Sequence, residues 1–295
     1  MTDRPNQTVP LQDGRALGFA EYGDFNGKPV FYFHGHPGSR LEFPLFDPED
    51  AASELGVRLI APERPGHGMS DFQRGRTILD WPDDVIELAD SLHISRFAVL
   101  GVSGGGPFAE ACAFKIHDRV TRTAIVCGMG PAKAPGTVDG ISWIYAGKPA
   151  IVRNLLLKMM AVGMRRDPDK FQQRFLKQMN EALPAPDAAV MSDPELAASF
   201  LERTFVEALR SGIHGASHDA KLYSKPWGFR LEDIAGSVHL WHGEMDLQVL
   251  PSVGHYVAET IPICHATFSP DDGHLSLPRR FMRDALRTLI GGGTP

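Results

Sequence analysis

The stretch LGVSGGGP, residues 100–107, follows an apolar run and opens a helical pattern, and it admits two readings. Its glycines can cradle a phosphate, or they can make room for a reactive serine. A dinucleotide loop needs G-x-G-x-x-G, but Ser103 stands where the second glycine belongs; a mononucleotide loop needs G-K-[ST], which is absent here. What remains is G-x-S-x-G, formed by Gly101, Val102, Ser103, Gly104 and Gly105. In that pattern the serine occupies a strained strand-to-helix turn, and the glycines permit close approach of neighbouring backbone. The strand RFAVLGV (96–102) and the helix GPFAEACAFKIH (106–117) supply the flanks the turn requires. Ser103 is therefore expected to be a nucleophile, with a helix N-terminus behind it whose N–H groups and dipole favour developing negative charge.

Working outward, apolar, β-branched or aromatic runs recur at VFYFHG (30–35), VRLIAPE (57–63), TAIVCG (123–128), VHLWHG (238–243) and HATFSP (265–270). Helical patterns such as WPDDVIELADSLHI (81–94) separate most of them, the alternation of a parallel sheet covered on both faces. The predicted class is α/β, doubly wound. The alternation stops after Gly128, and roughly a hundred residues pass before the strand at Val238, too many for an ordinary crossover. The intervening chain reads as helices: ISWIYAGKPAIVRNLLLKMMAVGM, then DPDKFQQRFLKQMNEAL with Asp167 or Asp169 near its N-cap, then SDPELAASFLERTFVEALRSG with Ser192 as N-cap and Gly212 as stop. Residues 131–234 are thus expected to form an inserted helical cap on a core made of 1–130 and 235–295.

The bulk numbers agree with a soluble enzyme-sized domain. Of 295 residues, 43% are hydrophobic and 22% charged, enough to bury a sizeable core. The net charge of −6, without a block of like charges, offers nothing to a phosphate backbone, so a nucleic-acid partner is not expected. Cys112, Cys127 and Cys264 lack CxxC spacing and read as reduced thiols, which points to the cytoplasm. MTDRPNQTVP has no apolar stretch of a signal peptide, and IVRNLLLKMMAVGM (151–164) is short and interrupted by Arg153 and Lys158, so no membrane span is expected. The oligomeric state is open, a homodimer being one option.

A serine nucleophile needs a base, and the base an orienting acid. His274, in the turn SPDDGHLSLP after the last strand, can point back over the sheet edge; Asp246, in WHGEMDLQVLP after VHLWHG, is the candidate acid. Glu244 is its local competitor, and Asp271 and Asp272 read as turn residues. The oxyanion needs two backbone donors: the N–H of Gly104, and that of His36 in FYFHGHPGSR. The sequence leaves open whether the His36 ring takes part, and the turn PERPGHGMSD (62–71) reads as structural.

HGHPG (34–38), ERPGHGMS (63–70), GVSGG (101–105), GEMD (243–246) and GH (273–274) together resemble the α/β-hydrolase fold superfamily with a cap domain, in its chain order of serine, acid and histidine. The resemblance implies about eight mostly parallel strands, a site at their carboxyl ends beneath the cap, and no metal or organic cofactor. One departure is the acid turn, where Pro251 comes one residue later than the usual GxxD…VP pattern. Serine at position 103, where haloalkane dehalogenases and epoxide hydrolases carry aspartate, implies acyl transfer on a small-molecule substrate. Carboxylester cleavage leads, with a pocket ceiling drawn from Trp143, Met160, Met164 and Phe205. A proline-type aminopeptidase, a C–C bond hydrolase, a lactonase, a hydroxynitrile lyase and a ligand receptor on the same scaffold are the alternatives.

Overall fold

The computed structural model describes residues 3–47, 50–140 and 148–291. Eight strands form one sheet: β1 (Arg4–Pro10), β2 (Ala16–Gly23), β3 (Lys28–Phe33), β4 (Val57–Pro62), β5 (Phe97–Val102), β6 (Val120–Val126), β7 (Val238–Gly243) and β8 (Cys264–Ser269). Their order is β1-β2-β4-β3-β5-β6-β7-β8, with β2 antiparallel to both its neighbours, β1 and β4, and every other pairing parallel. The predicted doubly wound, mostly parallel eight-stranded sheet is thus present. β5, FAVLGV, is buried along its whole length because side chains on both faces meet helices. On one face α1 (Trp81–Ser91) and α2 (Gly106–Lys115) pack with Phe31, Phe97 and Val99; on the other, Met282, Leu286 and Leu289 of the last helix pack with Tyr32, Leu59 and Leu100.

β1 carries no apolar run that marks it as a strand in isolation. β1 is RPNQTVP, mostly exposed at the sheet edge, and it is held by pairing with β2, which itself pairs with β4 from Phe19 opposite Pro62 to Gly23 opposite Arg58.

Between β6 and β7 lie α3 (Ala150–Arg166), α4 (Pro168–Ala182), α5 (Ala185–Met191), α6 (Pro194–Phe200), a π-helical turn (Leu201–Val206) and α7 (His214–Tyr223). These helices form the inserted cap. Residues 141–147, including Trp143, and the side chain of Asp169 lie outside the described residues; Asp167 Oδ1 accepts the Lys170 N–H at 3.2 Å. The cap of α6 is Asp193 rather than Ser192: Asp193 is extended and its carboxylate accepts from the Glu195 and Leu196 N–H groups. Ser192 is still helical and closes α5, its hydroxyl turned back to the Ala189 carbonyl. Among the described residues no helix is long and apolar enough to cross a membrane. Helices α8 (Pro251–Thr260) and α9 (Ser276–Leu289) complete the chain.

The parallel strands change direction of growth between β3 and β5, which are neighbours in the sheet although β4 intervenes in sequence. Loops leaving two such strands diverge to opposite faces and open a crevice at their carboxyl ends. HGHPG leaves β3 there and Ser103 leaves β5.

Candidate active site

Ser103 follows β5 directly, with φ of +52°, a left-handed backbone that a non-glycine residue adopts only under constraint. The constraint is packing: a Cβ on Gly101 would lie 2.5 Å from the Gly105 oxygen, and one on Gly105 would lie 2.0 Å from the Phe33 oxygen. The turn can form only with glycine at both positions. It presents the Ser103 hydroxyl at the head of α2.

His274, between β8 and α9, reaches it with Nε2 at 2.9 Å from Ser103 Oγ, while its Nδ1 lies 2.7 Å from Asp246 Oδ2. The other Asp246 oxygen accepts the Gln248 and Val249 N–H groups at 2.8 and 2.9 Å. Burial by itself would raise the Asp246 pKa, but the facing His274 and the backbone donors outweigh it and hold the carboxyl below the usual range. Burial likewise disfavours charge on His274; Asp246, with Asp187 and Glu42, overcomes it and raises the imidazole above its ordinary value. The other acids are engaged elsewhere: Glu244 pairs with His255 at 3.0 Å on the surface, and Asp272 binds Ser269 and Arg280.

On the opposite side of Ser103, the His36 N–H has no acceptor among the described residues, and a Cβ on Gly104 would lie 3.2 Å from that nitrogen. The two N–H groups therefore belong to one small region. The His36 ring meets the Tyr223 ring edge-on at 5.2 Å, its Nδ1 is unpartnered, and burial pulls its pKa down to about 4, so it is neutral. His34 is structural: Nδ1 bonds the Gly35 carbonyl and Nε2 accepts the Arg64 N–H.

Of the groups that hold this loop, Arg64 comes from the ERPGHGMS turn, while Glu42 and Asp219 have no local signature in the sequence. The Glu42 carboxylate accepts the Tyr32 hydroxyl at 2.6 Å and the Gly35 N–H at 2.9 Å, and burial pushes its pKa up to about 7. Arg64 donates to the carbonyls of His34 and Gly35 at 2.6 and 2.7 Å and to Asp219 of α7 at 2.7 Å. Arg76 takes the other Asp219 oxygen. Asp219, His36 and His67 lie close enough together to suggest metal ligands, but two guanidinium groups already occupy the carboxylate, so the cluster is an ion-pair network.

A narrow cavity of about 60 Å³ opens on Ser103 and His274, with Glu42, Phe46, Phe200, Thr204 and Phe205 in its wall. Of the expected ceiling residues, Phe205 is in place. Met164 instead packs inside the cap with Leu157, Leu201 and Leu209, and half-buried Met160 is not part of the wall. Phe200 and Thr204 stand in the wall beside Phe205, the last two from the π-helical turn Leu201–Val206. A larger cavity, about 330 Å³ between Lys133, Trp227 and Arg230, contains none of the Ser103 cluster.

The sequence profile of the alpha/beta hydrolase family matches residues 30–281, most of the chain and every group described above. The chain belongs to that family. A hydrolase in which serine, histidine and aspartate are linked by two hydrogen bonds has the parts for nucleophilic chemistry. Among curated relatives, a non-heme chloroperoxidase of Streptomyces lividans is 30% identical over 141 residues, 45% of this chain and 49% of that protein. A 2-hydroxymuconate semialdehyde hydrolase of Pseudomonas sp. strain CF600 is 32% identical over 139 residues, 44% of this chain and 47% of that protein. The chain thus spans about half the length of these relatives. Among solved structures, the esterase RhEst1 of Rhodococcus sp. ECU1013 superposes with a TM-score of 0.68, covering 99% of this chain and 100% of that one at 23% identity, a likeness of fold.

Proposed function

We propose that this hydrolase is a serine carboxylesterase, acting on a short acyl ester through an acyl-enzyme on Ser103. The observation that carries the reading is one imidazole bonded through Nε2 to a serine hydroxyl and through Nδ1 to a buried carboxylate. Asp246 keeps the proton on Nδ1, which leaves Nε2 to accept the Ser103 proton as Oγ attacks the ester carbonyl. The carbonyl electron pair moves onto oxygen, where the N–H groups of His36 and Gly104 stabilise it. The imidazolium passes its proton to the departing alkoxide as the C–O bond breaks, and an alcohol leaves. Water then gives a proton to Nε2 and attacks the acyl carbon; the acid departs as Ser103 regains its proton.

The narrow cavity walled by Phe46, Phe200 and Phe205 favours short acyl chains. The cap, read as residues 131–234, supplies its roof, and the unpaired Cys112, Cys127 and Cys264 suit a cytoplasmic setting.

The test pairs a fluorophosphonate probe with p-nitrophenyl esters of increasing length, a lactone and aminoacyl arylamides. The parent protein should be labelled and should turn over acetate and butyrate esters best, and Ser103→Ala should do neither. Equal labelling of the two proteins would remove Ser103 from the chemistry. An unlabelled, inactive parent would leave a ligand receptor on a hydrolase scaffold.

A further inference from the structure

α9 begins at Ser276 without a capping side chain of its own: the residue before it, Leu275, makes no side-chain bond to the helix. The first N–H groups of a helix lack internal partners and must find others. Here they find a residue 87 to 89 positions away in sequence. Asp187, on α5 of the cap and fully buried, accepts the His274 N–H on Oδ2 at 2.8 Å. Its Oδ1 accepts the N–H groups of Leu275 and Ser276 and the Ser276 hydroxyl, each at 3.0 Å. Ser276 Oγ in turn accepts the Gly273 N–H at 2.8 Å, so the whole turn around His274 is closed on one carboxylate. A Cβ on Gly273 would lie 2.6 Å from that carboxylate, which leaves glycine alone compatible with the contact. An apolar seam accompanies it: Leu275 packs with Met191 and Ala197 of the cap, with Val190 and Phe200 beside them.

We propose that Asp187 is a positioning residue for His274, so that the cap sets the placement and charge of the base rather than acting only as a roof. The inference rests on the reading of His274 as the base. A carboxylate bonded to the backbone N–H of the histidine fixes where its side chain starts, and an error of about 1 Å there is worth about 100-fold in rate. The same negative charge favours the imidazolium. Around the ring stand Asp246 and His242 from β7 and its loop, Cys127 after β6, Glu42 from the loop after β3, and Asp187 from the cap. Of these, Asp246 touches the ring and Asp187 the backbone.

The experiment uses the full chain with Asp187→Asn and Asp187→Ala, reading kcat and KM on p-nitrophenyl butyrate across pH, and the His274 titration by ¹⁵N NMR in the free protein. For Asp187→Asn we expect kcat to fall about tenfold, and for Asp187→Ala about 100-fold, with KM nearly unchanged. In both variants the His274 titration and the acid limb of kcat/KM should move to lower pH. Should Asp187→Ala fail to fold, Asp187→Asn, of the same shape, decides alone. A folded Asp187→Asn whose kcat stays within about twofold of the parent and whose His274 titration does not move would overturn the proposal. An inactive parent would count against the esterase reading only, because the NMR titration still reads the coupling of Asp187 to His274.

Discussion

The two loops that meet over Ser103 are held by core and cap in different ways. The HGHPG loop, which carries the His36 N–H, is gripped from the core: Glu42 binds the Gly35 N–H and Arg64 binds the His34 and Gly35 carbonyls. The cap also touches this loop, with the Tyr223 ring against His36 and the Ser39 hydroxyl donating to the Arg203 carbonyl, and its Asp219 balances the charge of Arg64 and Arg76. The His274 loop is gripped from both sides: from the core, the Met245 N–H and the Cys127 thiol donate to the carbonyls of Asp272 and Gly273, and from the cap, Asp187 accepts the N–H groups of His274, Leu275 and Ser276. Core and cap thus hold both loops, but the N–H groups at the start of α9 take their acceptor from the cap, so the histidine side depends more directly on the inserted helices. Substitutions on the two sides should fail in different ways.

The largest effect on turnover is expected on the histidine side. Asp246→Asn keeps the shape but favours the wrong tautomer of His274, and kcat should fall by about 10⁴-fold with the fold intact. A loss below about tenfold, measured beside an unchanged circular dichroism spectrum, would transfer the orienting role to another group.

Next comes the charge balance on the other side. Asp219→Ala strands two guanidinium groups in a site where Arg64 and Asp219 are both fully buried, and breaking such a pair costs about 3–5 kcal/mol. Urea denaturation should show that loss, and activity should fall with it as the Gly35 carbonyl loses its anchor. Stability unchanged alongside normal activity would mean that the cap does not support this loop.

The smallest effect distinguishes shape from charge at Glu42. Glutamine can still accept from Tyr32 and Gly35, so Glu42→Gln should keep kcat within about threefold. Its stability should nevertheless depend less on pH. The folded-state pKa of Glu42 is pushed up to about 7, so its contribution is whole below the unfolded carboxyl range and is lost as pH rises through about 7. The melting temperature of Glu42→Gln relative to the parent should therefore climb between pH 5 and pH 8, by about 5 °C. A constant difference across that range would mean that Glu42 is ionised throughout.

What was legible in the chain follows the range of the interactions involved. The Ser103 elbow is local: a strand, two glycines that nothing else can replace, and a helix all lie between Phe97 and Lys115. Asp246 and His274 could be found because each occupies a turn after a recognisable apolar strand, and the sheet brings strand ends together. β1 was not legible, since an edge strand with mostly exposed side chains carries no burial pattern and exists by pairing with β2. Asp193 was passed over for Ser192 because neighbouring residues of equal capping ability differ only in which one the backbone leaves extended.

Glu42, Asp187 and Asp219 look like ordinary surface acids in sequence. Each is buried; Asp187 and Asp219 meet donors from distant elements and Glu42 meets donors across the fold of its own loop, so only the packed chain assigns each a task. The cap wall tells the same story, since Met164 is taken up by the cap's own core while Phe200 and Thr204 face the cavity. The sequence by itself determined the hydrolase core, the serine turn and the order of serine, acid and histidine, because short-range sterics and strand burial dictate them. The tertiary structure alone decided which carboxylates hold the two loops, because a buried charge takes its role from partners that folding, not proximity in sequence, places around it.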